Sequence, residues 1–405
     1  MMALFRHFLA VHVVAIACSS VAFANNTSTL PAGVFLLDGS TLITSTETRW
    51  DDSRTARPLI DGIDRYEPGG GLQGTITAKP NVIYRFVTTQ LFYGLTDNLT
   101  LAFAAPLVTE TVIDPHLGWR PGAYQSSLGR AYTESDFWEW AQSMGQPKPG
   151  SFKGNEGVLT DIVVGGRYKL PKAGFLKTFG LDAALAAQVA LPTGTSPDPE
   201  ELVTAGTTAW DLHNYGDAEL HLALEKLFAM DGSTRLTVGV DVYGAVLRER
   251  KLVTSRGDRH PLLLTYAPYV GETFTVDPGD MLGVTGLIEV VPIVGPVWGT
   301  WLAGGKRTVA AKFPPLLVVS VAHTYTHVNQ SNWTSQSQLW DWSKEKDWLP
   351  GDKNTVKLGA ELTLLRVGLP LQIYSGYRNQ EWVAGRNTRA SNVFSLGARL
   401  MLKFW

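Results

Sequence analysis

The chain has almost no cysteine, little net charge and no long apolar run, and each shortage excludes a class of protein. Cys18 is the single cysteine among 405 residues. It lies in a segment that we expect to be removed, so neither disulfides nor thiolate metal sites are predicted. A formal net charge of −2 argues against a nucleic-acid partner. After residue 24, no apolar run reaches the roughly 18 residues of a helical membrane span, which excludes a helical membrane protein.

Residues 1–24 have the pattern of a secretory signal peptide. Arg6 gives a short basic start, an apolar run follows, and Ala22-Phe23-Ala24 forms an A-x-A cleavage site. Cys18 does not follow the usual leucine of a lipoprotein site. We therefore predict export through the inner membrane, cleavage of the signal and a single domain over residues 25–405.

The final segment, residues 392–405, has the pattern of a strand between lipid and a wet lumen. Its apolar side chains share one face, whereas serine, glycine, arginine and lysine share the other. The apolar face consists of Phe394, Leu396, Ala398, Leu400, Leu402 and Phe404. A terminal apolar strand that ends in an aromatic residue resembles the signal recognised by the outer-membrane barrel-assembly machinery. That machinery is the protein partner we expect.

The body of the chain alternates between apolar and polar residues with the period of a strand. In the segment 215–228, for example, Leu220, Leu222 and Leu224 alternate with Glu219, His221 and Glu225. The same pattern occurs in 160–170, 179–191, 235–247 and 356–364. A soluble sandwich alternates too, so periodicity alone leaves that fold open. Length favours a membrane barrel, because these segments run to about 11–15 residues, a globular strand averages about 5–6 and a tilted crossing needs about 9–11.

The spacing of the segments provides a second signal. We predict strands near 33–47, 80–93, 98–111, 157–170, 178–192, 214–228, 234–248, 280–292, 297–328 (interrupted), 354–366, 369–382 and 392–404. Long connections near 48–79, 112–156, 193–213, 249–279, 329–353 and 383–391 alternate with short turns at Gly94–Asp97, Pro171–Lys177, Ala229–Ser233, Pro292–Pro296 and Val367–Gly368. Long outer loops and short periplasmic turns are typical of outer-membrane barrels. The predicted fold is all-β: a transmembrane antiparallel β-barrel of 12 strands, or 14 as the alternative, with both termini periplasmic.

Three segments resemble one bacterial outer-membrane family. Tyr93–Leu101, followed by Ala105-Pro106-Leu107-Val108, is similar to that family's "YGLTDNLTL…PYV" segment. Asp161–Leu170 and Ala190–Gly194 resemble two of its strand ends. The family is described as the putative MetA pathway of phenol degradation, or as transporters. The resemblance implies a barrel channel that passes hydrophobic or aromatic compounds, although a shared fold does not establish cargo.

The polar faces of the predicted strands would place charges of both signs in the lumen. Such a set would form either a polar permeation path or a mutually neutralising network that plugs a narrow barrel. Barrels of about 8 strands are filled by side chains and those of 16–18 are open, so 12 strands leave both readings possible. The set is Asp161, Arg167, Lys169, Asp182, Asp217, Glu219, His221, Arg235, Asp241, Glu361, Arg378 and Arg399.

Aromatic residues crowd two predicted outer loops, around residues 119–140 and 333–348. They would form either a vestibule that captures apolar solutes or the aromatic girdle that membrane barrels have regardless of function. The residues predicted to capture solute are Trp119, Trp138, Trp140, Trp333, Trp340 and Trp342. The segment Thr133–Met144 would form a short amphipathic helix at the mouth, capped by Thr133 or Ser135.

No enzyme, metal site or cofactor is predicted. On a strand, His323 and His327 lie about 13 Å apart, too far to share one metal ion. Ser320 is opposite in phase to His323, so the strand pattern offers no serine beside a histidine. We predict an outer-membrane channel that contacts lipid and lipopolysaccharide and passes small hydrophobic solutes passively. The alternatives are an outer-membrane enzyme of the lipase or protease type, and a plugged structural barrel.

Overall fold

Most of the described chain is extended, with two short helices. The computed structural model describes residues 27–59, 62–67, 69–123, 129–143, 148, 150–154, 157–194, 217–231, 234–253, 273–293, 316–335, 350–367 and 369–403. The strands are β1 Val34–Trp50, β2 Ala56–Pro58, β3 Ile63–Tyr66, β4 Leu72–Ala78, β5 Asn81–Thr96, β6 Leu99–Asp114, β7 Leu117–Pro121, β8 Phe152–Gly154, β9 Val158–Leu159, β10 Ile162–Lys169, β11 Leu181–Leu191, β12 Ala218–Asp231, β13 Thr234–Val246, β14 Arg250–Val253, β15 Thr273–Asp277, β16 Met281–Ile293, β17 Leu317–Val328, β18 Asn332–Ser335, β19 Gly351–Thr363, β20 Leu371–Asn379 and β21 Thr388–Lys403. The helices are α1 Glu134–Ser143 and α2 Gly174–Phe179, and Leu364–Val367 forms a 3₁₀ turn.

Twelve of these strands form a closed antiparallel barrel. Their order is β1-β5-β6-β10-β11-β12-β13-β16-β17-β19-β20-β21. The barrel closes where β21 pairs with β1, from Val34 opposite Lys403 to Trp50 opposite Thr388. The prediction of a 12-stranded transmembrane β-barrel is therefore confirmed, and the alternative of 14 strands is set aside.

The ninth strand differs most from its prediction. It covers Leu317–Val328, which pairs with β16 on one side and β19 on the other. The other half of the predicted segment, around 297–303, lies outside the described residues. Strand β16 runs to Ile293 and β17 begins at Leu317, so most of the short turn predicted at Pro292–Pro296 also lies outside the described residues.

The barrel has an apolar outer surface and a polar inner one. On β12, outward-facing Leu220 and Leu222 are 60% and 41% exposed, whereas inward-facing Glu219 and Glu225 are 9% and 3% exposed. The other barrel strands repeat this alternation, with outward aliphatic rows such as Val238, Val240 and Val242. Exposed aliphatic groups around buried carboxylates are the reverse of a soluble protein, and the arrangement suits a surface that faces hydrocarbon. No described helix is long and apolar enough to cross a membrane.

The two ends of the barrel differ. One end, which we call the turn end, carries the start of β1 at Val34 and the end of β21 at Lys403. It also carries connections such as Asp97-Asn98 between β5 and β6. The opposite end, the loop end, carries the other long connections, apart from that between β16 and β17, and two small sheets, β3-β4-β7 and β14-β15-β18. The predicted loop at 48–79 therefore contains β2, β3 and β4. Most of the predicted loop at 193–213 lies outside the described residues.

Neighbouring positions on β11 test which side of each strand faces lipid. Leu185 points outward and is 40% exposed, whereas Gln188 points inward and its Nε2 donates to Glu219 Oε2 at 2.6 Å. Leu185→Arg should lower the free energy of unfolding by about 2–4 kcal/mol, because a guanidinium would lie in hydrocarbon. Gln188→Arg, the control, should cost much less because it remains beside a carboxylate. Denaturant unfolding in lipid vesicles measures both, and equal costs would show that the facing assignment is wrong.

Candidate functional site

The barrel interior holds a cavity of about 220 Å³ among the described residues. Strand alternation points every second side chain of the surrounding strands into this space. One part of its wall is apolar and includes Phe92, Ala102, Ala104, Val163, Ala186 and Leu287. The charged part of its wall consists of Arg167, Glu219, His221, Asp241, Lys353, Lys357 and Arg378. The cavity therefore combines an apolar surface with separate groups of acidic and basic side chains.

The acidic cluster consists of Glu219, His221 and Asp241. His221 Nδ1 lies 3.0 Å from Asp241 Oδ2, and its Nε2 lies 3.3 Å from Glu219 Oε2. Tyr243 stacks on the imidazole at 5.2 Å between ring centroids, and its hydroxyl lies 2.6 Å from the Thr326 hydroxyl. Because both imidazole nitrogens contact carboxylates, this histidine is a structural bridge across β12 and β13.

A second ionic group joins the first and last strands of the barrel. Arg399 donates from Nε to Asp38 Oδ2 at 2.8 Å and from Nη1 to Glu361 Oε2 at 2.7 Å. The Tyr374 hydroxyl donates to Asp38 Oδ1 at 2.6 Å, and the guanidinium lies 4.2 Å from the centre of its ring. We call Asp38, Glu361, Tyr374 and Arg399 the seam network. A smaller cavity of about 40 Å³ lies beside it and is lined by Lys357, Glu361, Tyr374 and Arg399.

The predicted lumen residues fall into three groups. Arg167, Glu219, His221, Asp241 and Arg378 line the central cavity, and Glu361 and Arg399 line the smaller one. The remaining residues lie away from both cavities. Asp161 and Asp217 accept backbone hydrogen bonds at the loop end, from Gly194 and Arg248 respectively. Lys169 and Asp182 form an ion pair at the turn end, and Arg235 faces inward near that same end.

Several inward-facing residues were left out of the predicted lumen set, namely Lys353, Lys357, Glu225, Glu289 and Asp38. Glu225 and Lys357 lie on polar faces that the sequence pattern indicated in 215–228 and 356–364. Lys353 and Glu289 could have been found by following the polar face along β19 and β16. Asp38 was harder to find, because leucines lie on both faces of β1.

The segment Thr27–Gly33 brings Thr27 and Leu30 into the interior, which the sequence did not indicate. Thr27 is 2% exposed, and its hydroxyl donates to the Glu225 carboxylate on β12. The amide of Leu30 donates to Thr100 Oγ1 at 2.7 Å, and the Leu30 side chain packs against Leu36 and Phe92. This segment, the N-terminal strap, thus connects β1 with the far wall and narrows the turn end.

The predicted capture aromatics pack against one another in the described structure. Sheet β3-β4-β7 and helix α1 form a small unit, the outer cap, in which Phe137 is buried beside Trp119, Trp138 and Trp140. Trp119 and Phe137 have ring centroids 5.7 Å apart, and the Trp119 indole donates to the Tyr132 carbonyl at 3.1 Å. In the other small sheet, Trp333 is 4% exposed and stacks on Phe274 at 6.0 Å. Trp340 and Trp342 lie outside the described residues.

Helix α1 begins close to its predicted start. The Thr133 hydroxyl accepts from the Asp136 amide at 3.3 Å, and Asp136 Oδ2 accepts from the Thr133 amide at 2.8 Å. This reciprocal pair is a capping box, and of the two predicted caps it selects Thr133. Hydrogen bonds from Arg130 and Thr133 hold the pKa of Asp136 well below its usual range. The carboxylate therefore stays ionised at the helix N-terminus, where negative charge is favoured.

The two histidines of β17 have separate partners on the outer face of the barrel. His323 Nε2 lies 3.2 Å from Asn354 Oδ1, and His327 Nδ1 lies 2.8 Å from Asp352 Oδ1. Tyr325, between them, donates to the same Asp352 oxygen at 2.9 Å. This arrangement forms a hydrogen-bonded ladder near the loop end.

Comparison with known proteins identifies the fold. No protein-family model and no curated protein match the sequence, so the resemblance to the phenol-degradation family stays a prediction. Among solved structures, an outer membrane channel from Pseudomonas putida F1 is similar, with a TM-score of 0.51 and 9% identity over 93% of this chain and 98% of that one. A toluene transporter from Ralstonia pickettii aligns with a TM-score of 0.35 and 9% identity over 92% and 90% of the two chains. A FadL homologue from Pseudomonas aeruginosa aligns with a TM-score of 0.34 and 10% identity over 91% of this chain and 90% of that one.

The seam network leads to a stability prediction. Arg399→Met should lower the free energy of unfolding by about 3–5 kcal/mol, because it leaves two carboxylates buried without their cation. Lys172→Met is the control, since Lys172 is half exposed in its ion pair with Asp182, and such a pair contributes about 0–1 kcal/mol. Denaturant unfolding in vesicles measures both. Neutralising Asp38 and Glu361 together with Arg399 should recover part of the lost free energy of unfolding. If Arg399→Met lowers that free energy no more than Lys172→Met does, the network does not stabilise the seam.

The capping box of α1 leads to a prediction about pH. A depressed pKa means that the contribution of Asp136 is fully present above the ordinary aspartate pKa of about 4 and is lost only as pH falls through the lower folded value. Hydrogen exchange of the first turn of α1 should therefore stay slow in mild acid, and Asp136→Asn should accelerate it at neutral pH. Glu139→Gln, farther along the helix, is the control. Equal exchange in the two variants would show that Asp136 does not cap the helix.

Proposed function

We propose that the protein is an outer-membrane channel through which small, largely apolar molecules, such as aromatic compounds, pass without enzymatic turnover. The observation that carries this proposal is the central cavity, because it lies inside a membrane barrel and has a substantially apolar wall. An apolar cavity of about 150 Å³ is large enough to bind benzene. A cavity of about 220 Å³ therefore has room for one small aromatic molecule.

The location and orientation follow from this proposal. A closed barrel with an apolar outer surface requires a bilayer, and barrels with short turns on one side and long loops on the other are typical of the bacterial outer membrane. The turn end would then face the periplasm, and the outer cap would lie outside the cell. Lipid and lipopolysaccharide would surround the barrel, and export of the chain would depend on residues 1–24.

The acidic cluster gives no support to the enzyme alternative. A general base needs a ring nitrogen within reach of the proton that it abstracts. In His221 both nitrogens already contact carboxylates, at 3.0 and 3.3 Å. The Pseudomonas putida structure with the similar fold is an outer membrane channel, which agrees with a transport function.

The plugged barrel is favoured by one observation, the N-terminal strap. Its hydrogen bonds reach β5–β6 and β12, so it crosses part of the turn end. However, Leu30 packs against the barrel wall beside Leu36 and Phe92, and the described residues enclose a central cavity of about 220 Å³. The transport experiment below therefore decides between the two functions.

Uptake into proteoliposomes tests the channel. Radiolabelled benzamide is a suitable neutral aromatic solute, and its entry should be faster with the protein than in empty vesicles, without any energy source. Ala104→Trp should reduce the added uptake by about tenfold, because an indole side chain would fill most of the cavity. Ala105→Trp is the matched control, since Ala105 is the next residue of β6 and is absent from the cavity wall.

The variants must fold for this comparison to count. A gel-mobility shift before and after boiling in detergent shows whether each barrel has formed, and Ala322→Trp on another part of the cavity wall replaces Ala104→Trp if needed. Equal benzamide entry with and without the wild-type protein would leave the plugged barrel as the better explanation. Equal entry through folded Ala104→Trp and Ala105→Trp would show that solute does not use this cavity.

A further inference from the structure

Three cations lie together on one wall of the central cavity, and we call them the basic row: Lys353, Lys357 and Arg378. Lys357 and Arg378 are direct register partners on β19 and β20. Residues in such a pair have Cβ atoms about 4.5–5.5 Å apart, and like charges directly opposite each other destabilise a sheet. Lys353 is four residues before Lys357, so it faces the same side of β19. The sheet thus concentrates positive charge at one place in the lumen.

On the inward face of β19, the carboxylate that follows the basic row is Glu361. Its Oε2 accepts from Arg399 Nη1 at 2.7 Å, and its Oε1 accepts from Gln372 Nε2 at 3.2 Å. Across the cavity, Glu219 and Asp241 lie on either side of His221. Positive and negative charges are therefore separated within the lumen, with the basic row on β19 and β20 and the acidic cluster on β12 and β13.

The apolar part of the cavity lies on other strands. Phe92 on β5, Ala102 and Ala104 on β6 and Val163 on β10 form a contiguous surface without charge. Arg167 is also on β10, and it lines the same cavity as Asp241. A molecule in the cavity would thus meet cations on one side and hydrocarbon on another.

We infer that the lumen contains a binding site for small amphipathic carboxylates, whose anionic end contacts Lys357 and Arg378 while the hydrocarbon end lies against the wall of β5, β6 and β10. This inference rests on the proposed function and specifies its solute class. A carboxylate accepts charge-assisted hydrogen bonds from lysine and from the planar guanidinium of arginine. Its negative charge would also relieve the repulsion between the two register partners. Lys353 would attract the same anion from the loop end.

Benzoate, benzamide and acetate separate the parts of this inference. Benzoate and benzamide have the same ring but differ in charge, and acetate keeps the charge without the ring. Equilibrium dialysis with the full-length protein in nonionic detergent measures binding, and proteoliposome uptake measures passage. Wild-type protein should bind benzoate more tightly than either benzamide or acetate, by about tenfold, since both the charged hydrogen bonds and the apolar contact contribute.

The double variant Lys357→Gln/Arg378→Gln should lower benzoate binding about tenfold and should lower benzamide binding much less, because benzamide carries no charge. Lys169→Gln is the matched control, because Lys169 is also a lumen-facing lysine but pairs with Asp182 at the turn end. It removes a positive charge from the barrel without touching the basic row. A heat-modifiability gel shows that each variant has folded, and the single variant Lys357→Gln replaces the double variant if that one does not fold.

Two dialysis results would overturn the carboxylate site. One is equal binding of benzoate and benzamide, and the other is an equal loss of benzoate binding in Lys169→Gln and in the double variant. Equal binding of acetate and benzoate would also overturn it, because a general anion site does not need the apolar wall. Benzamide uptake that persists while the benzoate preference is absent leaves the channel standing without this site. If benzamide does not enter at all, the proposed function fails, and the dialysis result still decides whether carboxylates bind.

Discussion

The barrel depends on one constraint, which is that every backbone N–H and C=O group within a bilayer must be hydrogen-bonded inside the protein. An open sheet would leave two edges in hydrocarbon, so the first and last strands of the barrel must find each other. Here β1 and β21 pair over their whole length, with one irregularity between Thr46 and Thr48. Asp38 and Arg399 are direct partners in that register. The seam network thus lies where the two ends of the sequence meet, and its buried charges disfavour a slipped register, because a slip by one residue would turn them toward lipid.

The same constraint explains why the interior carries the chemistry. Outward positions within hydrocarbon favour apolar side chains, so most polar residues of the strands lie within the barrel, where they must satisfy one another or face water. The polar groups of the acidic cluster and of the seam network satisfy one another through hydrogen bonds of 2.6–3.3 Å. The basic row places two like charges, Lys357 and Arg378, at directly opposite register positions. Small residues such as Ala102, Ala104 and Ala186 line the same cavity, so it combines space with charge.

The sequence predicted the barrel strands well because the period of two is a local property that any stretch of a few residues displays. It predicted the facing of Arg167, Glu219 and Asp241 for the same reason. It could not predict that Lys357 lies opposite Arg378, because that relation depends on the register between strands rather than on either strand alone. The outer cap was also missed, since β3, β4 and β7 are short and come from two different loops. The aromatic residues around Phe137 were recognised as a cluster, but only tertiary structure showed that they pack on one another.

The N-terminal strap has a mechanical consequence. Glu225 on β12 lies on nearly the opposite side of the ring from β1, so the bond from Thr27 connects the segment before β1 with a distant wall. A cylinder of strands resists stretching around its circumference, yet it flattens easily when pressed from the side. A tie between opposite walls resists that flattening. The few residues from Thr27 to Gly33 thus act as a cross-brace that helps to keep the lumen round at its narrow end, and their length limits how far those walls can separate.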